Sequence, residues 1–62
     1  MKQSKKLLRK HIDFLSKKGI SRERINTLRF YRETGNGEYI FVDGESLVTW
    51  DRACKALVRV ER

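Results

Sequence analysis

The fold turns on one stretch: Thr27-Leu28-Arg29-Phe30-Tyr31-Arg32-Glu33-Thr34-Gly35-Asn36-Gly37-Glu38-Tyr39-Ile40-Phe41-Val42. Read as extended chain, Thr27 to Glu33 alternates, with Leu28 and Phe30 on one face and Arg29 and Tyr31 on the other. Thr34 to Gly37 is a strong turn signal, and Glu38 to Val42 is the clearest strand of the sequence. A two-residue Gly35-Asn36 loop then pairs Phe30 with Phe41 and Arg32 with Tyr39, both favourable across strands. Read as helix, the same residues continue a segment that Ser21 caps and Arg22 opens. Its apolar residues Ile25, Leu28, Phe30 and Tyr31 then spread over more than half the circumference. Both readings stand at this point.

Upstream, the spacing predicts a helix from Ser4, as N-cap, to Lys18. Leu7, Leu8, Ile12, Phe14 and Leu15 fall on one arc with His11 inside it. Lys6, Arg9, Lys10, Asp13 and Lys17 lie opposite. Gly19 reads as the left-handed residue that ends this helix, with Ile20 folding back on Leu15 as in a Schellman motif. Lys17 and Lys18 gather in the last turn, where the helix dipole favours cations. Downstream, Asp43-Gly44 breaks the strand and caps a last helix from about Glu45 to Val58, whose stripe is Leu47, Trp50, Cys54, Leu57 and Val58. Val58-Arg59-Val60 reads equally well as a short extended tail. The expected fold class is α+β, a small single domain ordered helix, helix or strand, strand, helix. Its helices pack on a short hairpin or wing.

Composition narrows the function classes. The chain has 62 residues and a net charge of +7. A domain this small buries only roughly 60% of its unfolded surface, so dimerisation would add useful burial. No apolar run approaches the roughly 18 residues of a membrane span. The Lys-rich start leads into an amphipathic segment rather than a signal peptide, so the cytoplasm is the expected compartment. Cys54 is the lone cysteine and His11 the lone histidine, which leaves no internal disulfide and no conventional zinc cluster. No metal or cofactor is expected.

The charge is unevenly spread. Met1 to Glu33 carries eleven Lys and Arg against three acids, and Thr34 to Arg62 carries four against five. Concentrated charge costs self-repulsion and builds a one-signed field, the footprint of a polyanion-binding surface. The candidate nucleic-acid-binding residues form two groups. Lys6, Arg9, Lys10 and Lys17 lie on the polar face of the first helix and act as a backbone clamp. Lys18, Arg22, Arg24, Arg29 and Arg32 follow, and the cations from Arg22 to Arg32 are all arginine. Arginine grips a phosphate or a guanine edge with two parallel hydrogen bonds, so this segment is the candidate reading element. Leu15 to Asn26 has the outline of a helix-turn-helix.

Gly19-Ile20-Ser21 followed by Thr27-Leu28-Arg29-Phe30-Tyr31-Arg32-Glu33-Thr34-Gly35 resembles the helix-turn-helix of MerR-type regulators. Gly37-Glu38-Tyr39-Ile40-Phe41 resembles the wing strand of the related phage excisionases. The likeness covers about half the chain. It implies a winged helix whose second helix enters the major groove, with Arg22, Arg24 and Arg29 on the DNA. Three extra residues separate Ser21 from Thr27, near one helical turn, and the family's first wing strand is missing.

The remaining residues have plainer roles. His11 is expected at the border of the core with one hydrogen bond, Cys54 as a small buried hydrophobe and Trp50 as a core anchor. Tyr31, Tyr39 and Phe41 could stack on single-stranded bases if one sheet face is open, though Phe41 suits the core. The leading expectation is a non-enzymatic nucleic-acid-binding protein, a regulator or accessory factor, with duplex DNA ahead of RNA. The alternative is an interaction module, a small inhibitor or adaptor, docking on an acidic protein. Membrane-surface association through the first helix ranks third, because the core needs the same apolar residues.

Overall fold

The computed structural model describes residues 4–60. Two short helices, α1 (Arg9–Lys17) and α2 (Arg22–Asn26), precede four strands: β1 (Leu28–Glu33), β2 (Tyr39–Asp43), β3 (Ser46–Asp51) and β4 (Ala56–Arg59). The strands form one antiparallel sheet in the order β1-β2-β3-β4. The domain is therefore mostly β. It is not the helix-rich α+β layout with helices on a short hairpin or wing that the sequence suggested. Among the described residues no helix is long and apolar enough to cross a membrane.

The largest correction lies between residues 45 and 58, where the expected third helix is replaced by β3, a turn and β4. Three local features explain it. Asp43-Gly44 acts as a hairpin signal rather than a helix cap: Asp43 stands opposite Ser46, and Gly44 takes a φ of +65° in the two-residue loop. Val48, Thr49 and Trp50 are β-branched or aromatic, types that fit a pleated surface. At the end of β3 the Asp51 carboxylate accepts the backbone N–H of Ala53 at 2.8 Å, an Asx turn that competes with helix. The spacing of Leu47, Trp50, Cys54 and Leu57 imitates a helical stripe, but the strand alternation governs. Cys54 sits exposed in the turn rather than buried as expected.

The deciding stretch is a hairpin. Phe30 stands opposite Phe41, but a β-bulge between Phe30 and Arg32 then shifts the register. Arg32 faces Ile40 and Glu33 faces Tyr39, in place of the expected Arg32–Tyr39 pair. The loop is also longer than two residues. The Thr34 N–H donates to the Glu38 carbonyl at 2.7 Å, and the Thr34 hydroxyl accepts from the N–H of Asn36 and Glu38 at 3.2 and 3.1 Å. A threonine that binds its own loop in this way fixes the turn independently of the strands.

The helical corner forms as its residues dictate. The Ile20 N–H donates to Leu15 O at 3.1 Å and the Gly19 N–H to Ser16 O at 3.0 Å, with Gly19 at a φ of +86°. This is the Schellman pattern, and it returns the chain towards the sheet. The Ser21 hydroxyl then caps α2 by accepting the Arg24 N–H at 3.2 Å. The start of α1 differs from expectation. Ser4 is not its cap, because the segment before Leu8 is drawn out beside β1. Lys5 and Phe30 exchange both backbone hydrogen bonds, each at 2.8 Å. An unpaired strand edge demands such partners, and here the chain supplies its own.

The core lies between the helices and one face of the sheet. Leu15, Ile25, Leu28, Phe41 and Val48 are buried together, with Leu7, Phe14, Ile20, Phe30, Tyr39 and Leu57 packed against them. Leu15 and Phe41 are fully buried, and each contributes about 1.5–3 kcal/mol by removal from water. The strand register puts the intervening residues on the opposite face. Arg29, Val42 and Leu47 align across three strands there, as do Arg32, Ile40, Thr49 and Val58 across four.

Candidate nucleic-acid interface

The Lys5–Phe30 bridge determines where the cations lie. It holds the basic N-terminal segment beside β1, and the Arg29 Nε donates to the Ser4 hydroxyl at 2.9 Å. Lys5, Lys6, Arg9, Lys10, Arg29 and Arg32 are all exposed. Lys5, Lys6 and Lys10 thus rim one cleft beside Phe30 at the margin of the sheet, and Arg29 reaches Ser4 on the same basic segment. Lys5 has no special place in the sequence reading, because a helix capped at Ser4 gives it none. The only signal for it was the need of an isolated β1 edge for a partner.

The bulge at Tyr31 arranges the two arginines. In an unbroken alternation Arg32 shares a face with Phe30 and points towards the helices. With the extra residue it stands opposite Ile40, on the same face as Arg29. Bulges commonly re-aim a side chain in this way.

The first turn of α1 adds to the field. It holds Arg9 and Lys10 and no acidic residue. Cations at the positive end of a helix dipole are unfavourably placed, by about 0.3–1 kcal/mol each.

The other predicted residues are not part of this margin. Lys17 ends α1 and Lys18 is its C-cap. The Lys18 ammonium lies 5.3 Å from the ring centroid of Phe14 and 5.8 Å from that of Trp50, so it is engaged with aromatic faces. Arg22 opens the five-residue α2 and is exposed. Arg24 is committed elsewhere: its Nη1 donates to the Asp43 carboxylate at 2.6 Å, tying α2 to the β2–β3 turn. The arginine-only segment is consequently split between a short helix and a strand.

His11, Phe14, Phe30, Tyr39 and Phe41 face inward. His11 is 2% exposed and lies flat on Phe30, with ring centroids 4.1 Å apart. Tyr39 and Phe41 meet it edge-on at 5.0 and 6.3 Å. Tyr39 and Phe41 therefore pack under the helices and offer no open stacking platform. The His11 Nδ1 accepts the Leu8 N–H at 3.0 Å, closing the start of α1. The neutral ring then carries its proton on Nε2, which has no hydrogen-bond partner among the described residues. Burial holds the His11 pKa below its usual 6.5, Lys10 lowers it further, and Glu33 partly opposes them. Among the described residues no three His, Cys, Asp or Glu side chains are grouped to hold a metal ion. No family of known proteins, no curated protein and no solved structure matches the chain.

Proposed function

We propose that this protein binds nucleic acid, duplex DNA in the first instance, by gripping the phosphate backbone with a basic sheet margin. Arg29 and Arg32 from β1, Lys5 and Lys6 from the paired N-terminal segment, and Arg9 and Lys10 from the first turn of α1 form the grip. The observation that carries this reading is the bulge that turns Arg32 onto the face of Arg29, beside lysines held there by the Lys5–Phe30 bridge. The unfavourable placement of Arg9 and Lys10 at the dipole's positive end supports it, because a bound phosphate relieves that cost. A five-residue α2 is short for a recognition helix, so the proposed binding positions the protein by phosphate contacts rather than base edges.

The test is a titration with a duplex of arbitrary sequence across salt concentrations. If about five phosphates are neutralised, log affinity falls against log salt with a slope near −4.5. Amide shifts should centre on 5–10 and 29–32. Binding that ignores salt, or shifts centred on β3 and β4, overturns the proposal.

A further inference from the structure

We infer that the edge of α1 bearing Leu8 and Ile12 docks an acidic amphipathic helix of another protein. This goes beyond nucleic-acid binding: it turns on apolar side chains that a phosphate backbone does not use, although Lys5, Lys6 and Lys10 border both surfaces. Leu8 and Ile12 are four residues apart and so are neighbours on the helix surface. They stay 58% and 38% exposed, while the apolar core residues are exposed by 7% or less. Among the described residues these are the only large hydrophobic side chains counted as exposed, and they lie together on one helix edge.

Each of the two borders a concavity. At the start of α1 a cleft of about 430 Å³ is walled by Leu8, His11 and Phe30 and rimmed by Lys5, Lys6 and Lys10, with Glu33 as its one acid. Between α1 and α2 a smaller groove of about 140 Å³ is floored by Ile12, Ile20 and Ile25. A partner helix presents side chains one turn apart, and two apolar side chains so spaced fit a ridge flanked by two hollows. Phosphate backbone brings no aliphatic side chain to fill them, and a flat lipid surface does not enter a groove.

Charge selects the partner. Lys5, Lys6, Arg9 and Lys10 surround Leu8, and Arg22 borders the α1–α2 groove; Asp13 is the one acid on α1. A second copy of the chain would set these cations against themselves, whereas an acidic helix meets them with opposite charge.

The test uses a synthetic peptide of about 20 residues, with Leu at i, i+4 and i+7, Glu at a few of the other positions and Ala at the rest, so that it is partly helical alone. A scrambled peptide of the same composition, vesicles containing phosphatidylserine and a DNA duplex are the other probes. The amphipathic peptide should bind at least about tenfold tighter than its scramble and shift the amides of Leu8, Ile12, Ile20 and Ile25. Leu8→Ser and Ile12→Ser should each weaken it about tenfold, and Ile12→Ser, outside the proposed phosphate grip, should leave duplex binding unchanged. Ile12→Gln, which keeps helix propensity, serves if a serine variant unfolds. Arg32→Glu, on the other face of the sheet, should leave peptide affinity within about twofold, which separates this inference from the nucleic-acid reading. Equal affinity for peptide and scramble overturns the inference. So does vesicle binding that depends on Leu8 and Ile12 when peptide binding does not.

Discussion

Arg29 and Arg32 lie on one face of the sheet, opposite Val42 and Ile40, although the strand alternation read from sequence separates them. The cause is one inserted residue, Tyr31, which no partner on β2 matches. If the pair grips phosphate, charge reversal there must matter more than the same change on the far strands. Arg32→Glu should reduce duplex affinity and lessen the salt slope by about one, the share of a single phosphate contact. Arg52→Glu, in the β3–β4 turn, should leave the slope unchanged. Equal effects of the two substitutions would remove the proposed margin from consideration.

Arg9 separates stability from binding. It sits in a first turn that holds two cations and no acid. Arg9→Glu replaces an unfavourable dipole interaction with a favourable one, offset in part by repulsion from Asp13 one turn on, and should raise stability by up to about 1 kcal/mol. The same change puts a negative charge where phosphate is proposed to bind, so affinity should fall. Denaturant unfolding and duplex titration of the same variant check both halves. A variant that is less stable and binds as before contradicts the account of this turn.

How much of this was legible in the sequence depends on the range of the interaction. The Gly19 and Ser21 corner is encoded by residues within one turn of each other, and it formed as read, Ile20 hydrogen bonding to Leu15 included. The extended state of Leu28 to Glu33 and its Phe30–Phe41 contact followed from alternation, but helical spacing described the same residues nearly as well. The stretch from Glu45 to Val58 reads as helix because Leu47, Trp50, Cys54 and Leu57 satisfy a helical period by coincidence, whereas it folds as β3 and β4. Asp43-Gly44 was the cue that outweighed it. The basic margin was only half visible. Its residue types stood out, but their assembly rests on a bulge and on a long-range backbone bridge from Lys5. Neither leaves a pattern in local composition.

Lys55 is the one non-glycine residue with a left-handed backbone among those described, at a φ of +56°. It closes the β3–β4 turn, donating its N–H to Asp51 O at 2.7 Å. A side chain there costs about 1 kcal/mol, against which glycine's extra freedom in the unfolded chain costs somewhat less. Lys55→Gly should therefore stabilise the domain slightly, by a few tenths to about 1 kcal/mol. The exposed position makes lost contacts a minor concern. Thermal unfolding of the variant tests this, and a clear loss of stability would show that the lysine side chain holds the turn in another way.

His11 makes stability depend on pH, and the sign follows from its burial. Its folded-state pKa lies below the usual 6.5 because the ring is buried between α1 and Phe30. Protonation would also place a hydrogen on Nδ1 and break the Leu8 cap. Above about pH 6.5 neither the folded nor the unfolded chain binds a proton there, so His11 contributes no slope. Below it the unfolded chain takes up the proton first. Stability then falls by up to about 1.4 kcal/mol per pH unit until the lower folded-state value is passed. His11→Phe keeps an aromatic ring against Phe30, loses the acceptor for the Leu8 N–H and cannot titrate. At neutral pH the lost hydrogen bond is offset by removal of the unpartnered buried Nε2–H, so the diagnostic change is a flatter stability profile between pH 7 and pH 5. Denaturant midpoints of both proteins over that range decide the matter, since carboxylates common to both cancel in the difference. Parallel curves would mean that His11 is not the group whose proton is excluded from the folded core.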